Sequence, residues 1–284
     1  MKIGVFGNCQ APGFAASIQA LTGHEPHCYT IQKARIASQE ELKANAAQFA
    51  DCDVVFTQPS ITQSGFGPLD FVHLRGNCRQ IVSYPQMAYT GLQPDCHYIR
   101  PNGIAMNGPV GPYHSAIVAA SYLEGLPPER AECLFNSYVF AKLGFFEKSR
   151  VRDPLIKDAK SLGFDISAFL SGDRGVFMLT INHPSIALIF DVAAQAARIA
   201  ELRANYNVTP PTDVLRSIAV WPVFPEICHN FGIADDLGAF SYRNIAFSLS
   251  EFIARSYQAY QEFGGTFSTP QIETARSLIK ADVR

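Results

Sequence analysis

Four short runs rich in β-branched and aromatic residues, at positions 3–6, 27–31, 54–57 and 80–84, begin at intervals of about 25 residues. That interval holds one crossover helix and is far longer than a hairpin turn, so it predicts βαβ units and a parallel sheet over residues 1 to about 90. Helices are expected between the runs at 12–21 and 39–49. Ser38 ahead of the second, with Glu41 three positions on, has the pattern of a capping box. The third interval, 58–79, is less regular because Gly65, Gly67 and Pro68 interrupt a helical period.

From 84 to 112 the chain carries Pro85, Pro94, Pro101, Pro109 and Pro112 with Gly91, Gly103, Gly108 and Gly111, a density that suits neither a helix nor a strand. A long loop is expected there, and long ordered loops often wall a binding site. Beyond it, 114–124, 128–143, 152–162, 184–204, 249–263 and 270–281 read as helices. The expected architecture is α/β, a Rossmann-like N-terminal parallel sheet with a predominantly α-helical C-terminal elaboration. It is read as one unit over 1–284, divided into a sheet portion (1–90), an irregular loop (91–112) and a helical portion (113–284). Hydrophobic residues make up 48% of the chain and charged residues 17%, enough apolar surface to fold without staples. A net charge of -2 removes the broad basic field that non-specific nucleic-acid binding needs. No apolar run approaches the roughly 18 residues of a membrane span, and no export signal is visible, so a cytoplasmic location is expected.

Seven cysteines without a C-x-x-C pair or a finger-like His spacing argue against structural zinc and against a disulfide framework, and no metal is expected. Neither glycine pattern of the common phosphate loops is present. Cys9 stands apart. Gly7-Asn8-Cys9-Gln10 joins the first strand to a helix, the place where open parallel sheets gather ligands. A thiol there meets the positive end of the helix dipole, which predicts a lowered pKa and a nucleophile. Gly7 permits close backbone approach, while Asn8 and Gln10 offer amide donors for an oxyanion. The alternative is a buried free cysteine in a turn closed by Asn8.

A cysteine nucleophile needs a base. His183, in Thr180-Ile181-Asn182-His183-Pro184, is the leading candidate, with Asn182 placed to orient its ring; a plain helix start accounts for the same residues. His97 and His114 are the competitors. Gln58, after the third strand, and Tyr84, at the end of the fourth, are expected at the same sheet edge as Cys9 and complete a set of substrate or oxyanion contacts.

The segments Gly7-Asn8-Cys9-Gln10, Phe56-Thr57-Gln58, Tyr84-Pro85 with Gly91 and Pro94-Asp95, Gly111-Pro112-Tyr113-His114 and Thr180 to Pro184 together resemble the WcbI family of polysaccharide-biosynthesis proteins. The resemblance implies a coenzyme A site and acetyl-CoA-dependent O-acetylation of a sugar or glycan in a bacterial capsule or related polymer. Cys9 and His183 match the family's Cys and His as nucleophile and base. His97, His114, Arg150 and Arg152 are the candidate cofactor contacts, the two arginines because coenzyme A phosphates favour guanidinium partners. A cysteine-dependent esterase resembling the SGNH hydrolases, and a glycan-pathway binding protein without chemistry, are the rival readings.

Overall fold

The computed structural model describes residues 1–282 apart from 148, 172–173 and 235–237, and the side chains at 61 and 149–153 are likewise outside the description. The chain divides into two units, each built from three stretches: Met1–Ala88, Pro154–Ser171 and His183–Leu215 form the first, and Tyr89–Asp153, Gly172–Asn182 and Arg216–Arg284 the second. No local signal in the sequence marks that interleaving.

In the first unit, strand β1 (Ile3–Gly7) leads to helix α1 (Ala11–Thr22), then β2 (His27–Thr30), helix α2 (Gln39–Ala50), β3 (Val54–Thr57), the short helix Phe71–Asn77 and β4 (Ile81–Ser83). The strands lie in the order β2-β1-β3-β4 and every pairing is parallel. Predicted and observed boundaries agree to within a residue. The capping box is made: the Ser38 backbone N–H donates to Glu41 Oε2 at 2.8 Å, and the Glu41 N–H donates to Ser38 Oγ at 3.2 Å.

Registered neighbours share a face of a parallel sheet, and residues two apart on a strand share it too. Cys28, Val5, Phe56 and Val82 form one row, and Gly7, Gln58 and Tyr84 follow on the same face. Helix α1 covers it. Phe14 stacks on Tyr84 with centroids 4.1 Å apart and planes 13° from parallel, and packs 5.4 Å from Phe56. The opposite face carries Phe6 in a core with Leu42, Phe49, Phe66, Leu69 and Leu74. Burying each such ring contributes about 2 to 3 kcal/mol.

A second long helix of this unit, Ile186–Ile199, packs along α1. Small residues on both helices, Ala11, Gly13 and Ala15 on one and Ala193, Ala196 and Ala197 on the other, are buried and permit a close approach. A Cβ built on Gly13 would lie 3.2 Å from Ile189 Cδ1 and 3.5 Å from Ile186 Cδ1, so the two N-terminal turns touch. At the other end the Asn205 N–H donates to Leu21 O at 2.7 Å. The helices therefore run parallel, with both N-termini at one end.

In the second unit, Cys96–Tyr98 pairs antiparallel with Tyr113–Ser115, which puts His97 opposite His114 inside the stretch expected to be irregular. Its helices include Ala116–Leu123, Leu249–Phe263 and Pro270–Asp282. The helix expected over 128–143 is two, Pro128–Glu132 and Ser137–Lys142, because the Asn136 side chain accepts the Val139 N–H at 3.0 Å and starts a new helix. A three-stranded antiparallel sheet of Ala219–Val220, Phe240–Tyr242 and Ile245–Phe247 was not foreseen. Its tight turn places Arg243 (φ 51°) and Asn244 (φ 65°) in the left-handed region. Arginine is an unusual residue there, which hid the hairpin. Trp221 packs against Phe240 and Phe252 at 5.0 Å each in the core beneath.

Candidate functional site

The residues after β1 fold back on themselves as an Asx turn. Asn8 Oδ1 accepts the Gln10 N–H at 2.8 Å, and Asn8 O accepts the Ala11 N–H at 3.0 Å. The Asn8 N–H donates to Gln58 Oε1 at 3.0 Å, Gln58 Nε2 donates to Gln10 Oε1 at 3.1 Å, and Gln10 Nε2 donates to Met87 O at 2.7 Å. The Met87 N–H returns a bond to Gln10 Oε1 at 3.3 Å. Gln10 and Gln58 are both fully buried. Their carboxamides lock the Cys9 turn to the ends of β3 and β4, so the expectation that they face an oxyanion is corrected: they brace the turn from beneath. Asn8 shares that task, with Nδ2 as its remaining donor.

Gly7 is required here by proximity. A Cβ at this position would lie 2.6 Å from Gln58 Oε1 and 2.6 Å from the Tyr84 hydroxyl. Tyr84 is fully buried under Phe14, and its hydroxyl has no hydrogen-bond partner among the described residues. It fills the space over Gly7 and does not reach a ligand from that position, a second correction.

Cys9 is a free, partly exposed thiol that follows the strand and precedes α1. Burial pushes its pKa up to about 11, against a smaller lowering from its own backbone N–H. Burial thus acts against the lowered pKa expected of this thiol. Desolvation outweighs the helix end, and a base must take the proton if the sulfur is to attack.

His183 is buried at 6% exposure and stands three residues before Ile186–Ile199. Cys9 stands two residues before α1. Because Gly13 touches Ile186 and Ile189 and the two helices run parallel, the segments bearing the sulfur and the imidazole both lead into helices that begin at the same end of the first unit. Residues far apart in sequence are thus brought to one end of the first unit.

Asn182 belongs to the second unit and is tied there. Its Oδ1 accepts from the Tyr113 hydroxyl at 2.6 Å and from Thr180 Oγ1 at 3.3 Å, while Nδ2 donates to the Tyr98 hydroxyl at 2.9 Å. These bonds hold the Tyr98 and Tyr113 rings. His97 and His114 are also in the second unit, 7% and 1% exposed. His97 Nδ1 lies 3.4 Å from Asp95 O, and His114 sits between Met106 O at 3.0 Å and the Tyr260 hydroxyl at 3.3 Å. Burial lowers both imidazoles, His97 to about 4. Both are buried core histidines in the hairpin, and neither ring is exposed to meet a phosphate in this structure. The side chains of Arg150 and Arg152 lie outside the described residues.

Sequence reasoning missed Asp213, whose Oδ2 accepts the Ile186 N–H at 2.9 Å at the start of the second helix. The one local hint is a Pro210-Pro211 pair stiffening the loop ahead of it. Among the described residues no group of His, Cys, Asp and Glu is arranged to hold a metal ion, and no helix is long and apolar enough to cross a membrane.

No curated protein matches the chain. A solved structure of WcbI, described as a novel polysaccharide biosynthesis enzyme in its native form without a disulfide bond between coenzyme A and one of its cysteines, superposes with a TM-score of 0.72. The match covers 99% of this chain and 95% of that one at 16% sequence identity, a likeness of fold. The sequence pattern of the polysaccharide biosynthesis enzyme WcbI matches residues 2–205. That match takes in the Cys9 turn, the sheet and both N-terminal helix turns, and on it the chain belongs to the WcbI family of polysaccharide biosynthesis enzymes.

Proposed function

We propose that this chain is an acyltransferase that takes an acyl group, acetyl in the simplest case, from a coenzyme A thioester and passes it to a sugar hydroxyl during polysaccharide synthesis. The observation that carries the reading is the parallel pairing of α1 with Ile186–Ile199, which sets the Cys9 and His183 turns at one end of the first unit. The WcbI structure is described with reference to coenzyme A, as the form without a disulfide between it and a cysteine, and this supports coenzyme A as the donor class.

The chemistry follows from the thiol's environment. A group held near 11 is almost wholly S–H at neutral pH, so His183 accepts the proton as the sulfur attacks the thioester carbonyl. The carbon–sulfur bond to coenzyme A breaks, the imidazolium returns the proton to the departing sulfur, and the acyl group rests on Cys9. The acceptor hydroxyl then attacks that acyl carbon with His183 again as base, and the Cys9 thiol is restored. In a direct variant of the same transfer, His183 deprotonates the acceptor hydroxyl and Cys9 only lines the site.

Coenzyme A at a hundredfold excess over its dissociation constant is expected to stabilise the protein by about 2.7 kcal/mol in a thermal-shift titration. Acetyl-CoA incubated with a panel of sugar acceptors then tests the reaction. Cys9→Ser and His183→Ala are both expected to abolish transfer while leaving the thermal midpoint near that of the parent. Release of free acetate without any acylated acceptor would favour the esterase instead, and the absence of a coenzyme A shift would overturn the donor assignment.

A further inference from the structure

We propose that Cys52 and Cys78 are a dithiol pair, a modification site that closes to an intramolecular disulfide when the folded protein meets a small-molecule disulfide of the glutathione type. The pair lies at the edge of the sheet where β3 and β4 begin, opposite to the edge that carries the Cys9 turn. It is therefore independent of the acyl-transfer reading.

Topology brings the two residues together. Val55 and Ile81 are registered partners in the parallel pairing of β3 with β4, and each cysteine stands three residues ahead of one of them. Between cysteine and strand, Asp53 and Arg79 carry the alignment on as an ion pair at 2.9 Å. Cys52 follows α2, and its N–H donates to Phe49 O at 3.0 Å. Cys78 follows the helix Phe71–Asn77, and its Sγ donates to the same Phe49 O at 3.5 Å. One carbonyl oxygen thus receives the main chain of one cysteine and the side chain of the other. Both residues pack into the Phe6 core with Phe49, Leu74 and Ile81, so they share a face of the sheet. Paired strands lie about 4.8 Å apart and a disulfide spans Cα atoms about 4.4 to 6.8 Å apart, which puts residues aligned just ahead of two paired strands at bridging range.

Both sulfurs are free thiols. Cys78 is half-buried, and Cys52, at 3% exposure, lies in the wall of an open surface cavity of about 270 Å³ that also takes in Lys2, His27, Gln48 and Asp51. The Cys52 Sγ–H donates weakly to Gln48 O at 3.3 Å, and Phe49 O keeps the Cys52 N–H when Cys78 gives up its own S–H, so closure strands little. Burial pushes the Cys78 thiol up to about 11, and a negative charge on Cys52 adds to the rise, as it must for neighbouring sulfurs. Burial, with Asp51 and Asp53, raises Cys52 as well, against a smaller lowering from Lys2. Such thiols react slowly at neutrality. They also offer the reduced form no stabilised thiolate, which favours the disulfide at equilibrium. In the exchange, the Cys78 thiolate attacks one sulfur of the small disulfide, whose S–S bond breaks and releases a first thiolate. The Cys52 thiolate then attacks the Cys78 sulfur of the mixed disulfide and releases the second. The two protons of the protein thiols end on the two released thiols, and the small disulfide is the species reduced.

The test is to incubate the folded parent protein with oxidised glutathione, quench with acid, digest without reduction and read the peptides by mass spectrometry. The expected product is a peptide pair joining residues 52 and 78, two hydrogens lighter than its reduced peptides and about tenfold or more above any other cysteine pairing, because an aligned thiol outcompetes one in solution. Closure constrains a loop of roughly 26 residues in the unfolded chain and is expected to raise the thermal midpoint by about 3 to 7 °C, a rise reversed by dithiothreitol. Exposed Cys133 is the comparison, expected to carry a glutathione adduct. Cys52→Ser and Cys78→Ser are each expected to lose the cross-link and keep an adduct on the remaining cysteine. A folded parent that yields no such peptide pair, whether it carries glutathione on either cysteine alone, fails to react, or cross-links only after unfolding in urea, overturns the proposal. The mass readout needs neither substrate nor variant, so it decides the pairing even if a serine variant fails to fold.

Discussion

Gly7→Ala puts the construction of the Cys9 turn to its most direct test. The new methyl carbon would stand 2.6 Å from Gln58 Oε1 and 2.6 Å from the Tyr84 hydroxyl oxygen, distances that Cβ atoms do not hold. Gly7 does not have a positive φ, so the backbone itself tolerates alanine and the penalty comes from contacts. Gln58 cannot simply step back, because its Oε1 receives the Asn8 N–H at 3.0 Å and its Nε2 is committed to Gln10 at 3.1 Å. Overpacking costs about 1 to 3 kcal/mol, and stranding one buried donor about 1 to 3 more. Loss of glycine freedom in the unfolded chain offsets about 0.4 to 1 kcal/mol. The net expectation is a loss of about 1 to 5 kcal/mol, or a midpoint lower by about 2 to 8 °C. Urea and thermal unfolding followed by circular dichroism would measure it. Tyr84→Phe gives the control: its hydroxyl is buried and unpartnered among the described residues, so removing it is expected to be neutral or stabilising. Adding it to Gly7→Ala relieves one of the two clashes and is expected to show a coupling of about 0.5 kcal/mol or more. If Gly7→Ala unfolds within about 0.5 kcal/mol of the parent, the packing account of this turn is wrong.

Two further expectations follow from buried ionisable groups. Iodoacetamide should label Cys9 about a hundredfold more slowly near neutrality than an ordinary exposed thiol, with the rate still rising toward pH 11, and a plateau near pH 8 would contradict the burial argument. Asp95 is fully buried, Oδ1 accepts the Ile117 N–H at 3.0 Å, and Oδ2 has no partner among the described residues, so desolvation lifts its carboxyl to about 6. The folded chain then holds a proton that the unfolded chain releases near 3.8, so stability declines as pH rises from about 4 to 6 and stays lower above. Asp95→Asn keeps the oxygen toward Ile117 and is expected to gain up to about 3 kcal/mol at pH 7, a gain that vanishes below pH 4; equal midpoints at pH 7 would refute this.

The parallel sheet was legible because its signals are local. Residues 54–56 are apolar because both faces are covered, and Ser38 with Glu41 announces α2 within four positions. Cys9 and His183 could be singled out by residue type, since a thiol after a first strand and an imidazole before a long helix are both rare enough to notice. What could not be read was which polar groups are already engaged. Gln10 and Gln58 look like free amides in sequence, yet each closes a bond to a residue about 50 or more positions away. His97 and His114 looked available for the same reason, until their pairing across a hairpin buried them. Asp213 was invisible because its partner is a backbone N–H, which no residue identity advertises.

The contest at Cys9 was decided by magnitude, and the sequence supplied only one side of it. A helix N-terminus favours a nearby anion by about 0.3 to 1 kcal/mol, less than one pKa unit. Desolvation raises the thiol from 9 to about 11, roughly twice that effect or more. A strand-to-helix cysteine is therefore not reactive by position alone. The arrangement makes reactivity conditional: the thiol stays protonated until a base and an acyl carbon are both present. That agrees with the acyl transfer proposed above, because a standing thiolate would be open to oxidation and to reaction with any passing electrophile. On the proposed reaction, the base that takes the proton then counts for more than any intrinsic acidity of the cysteine.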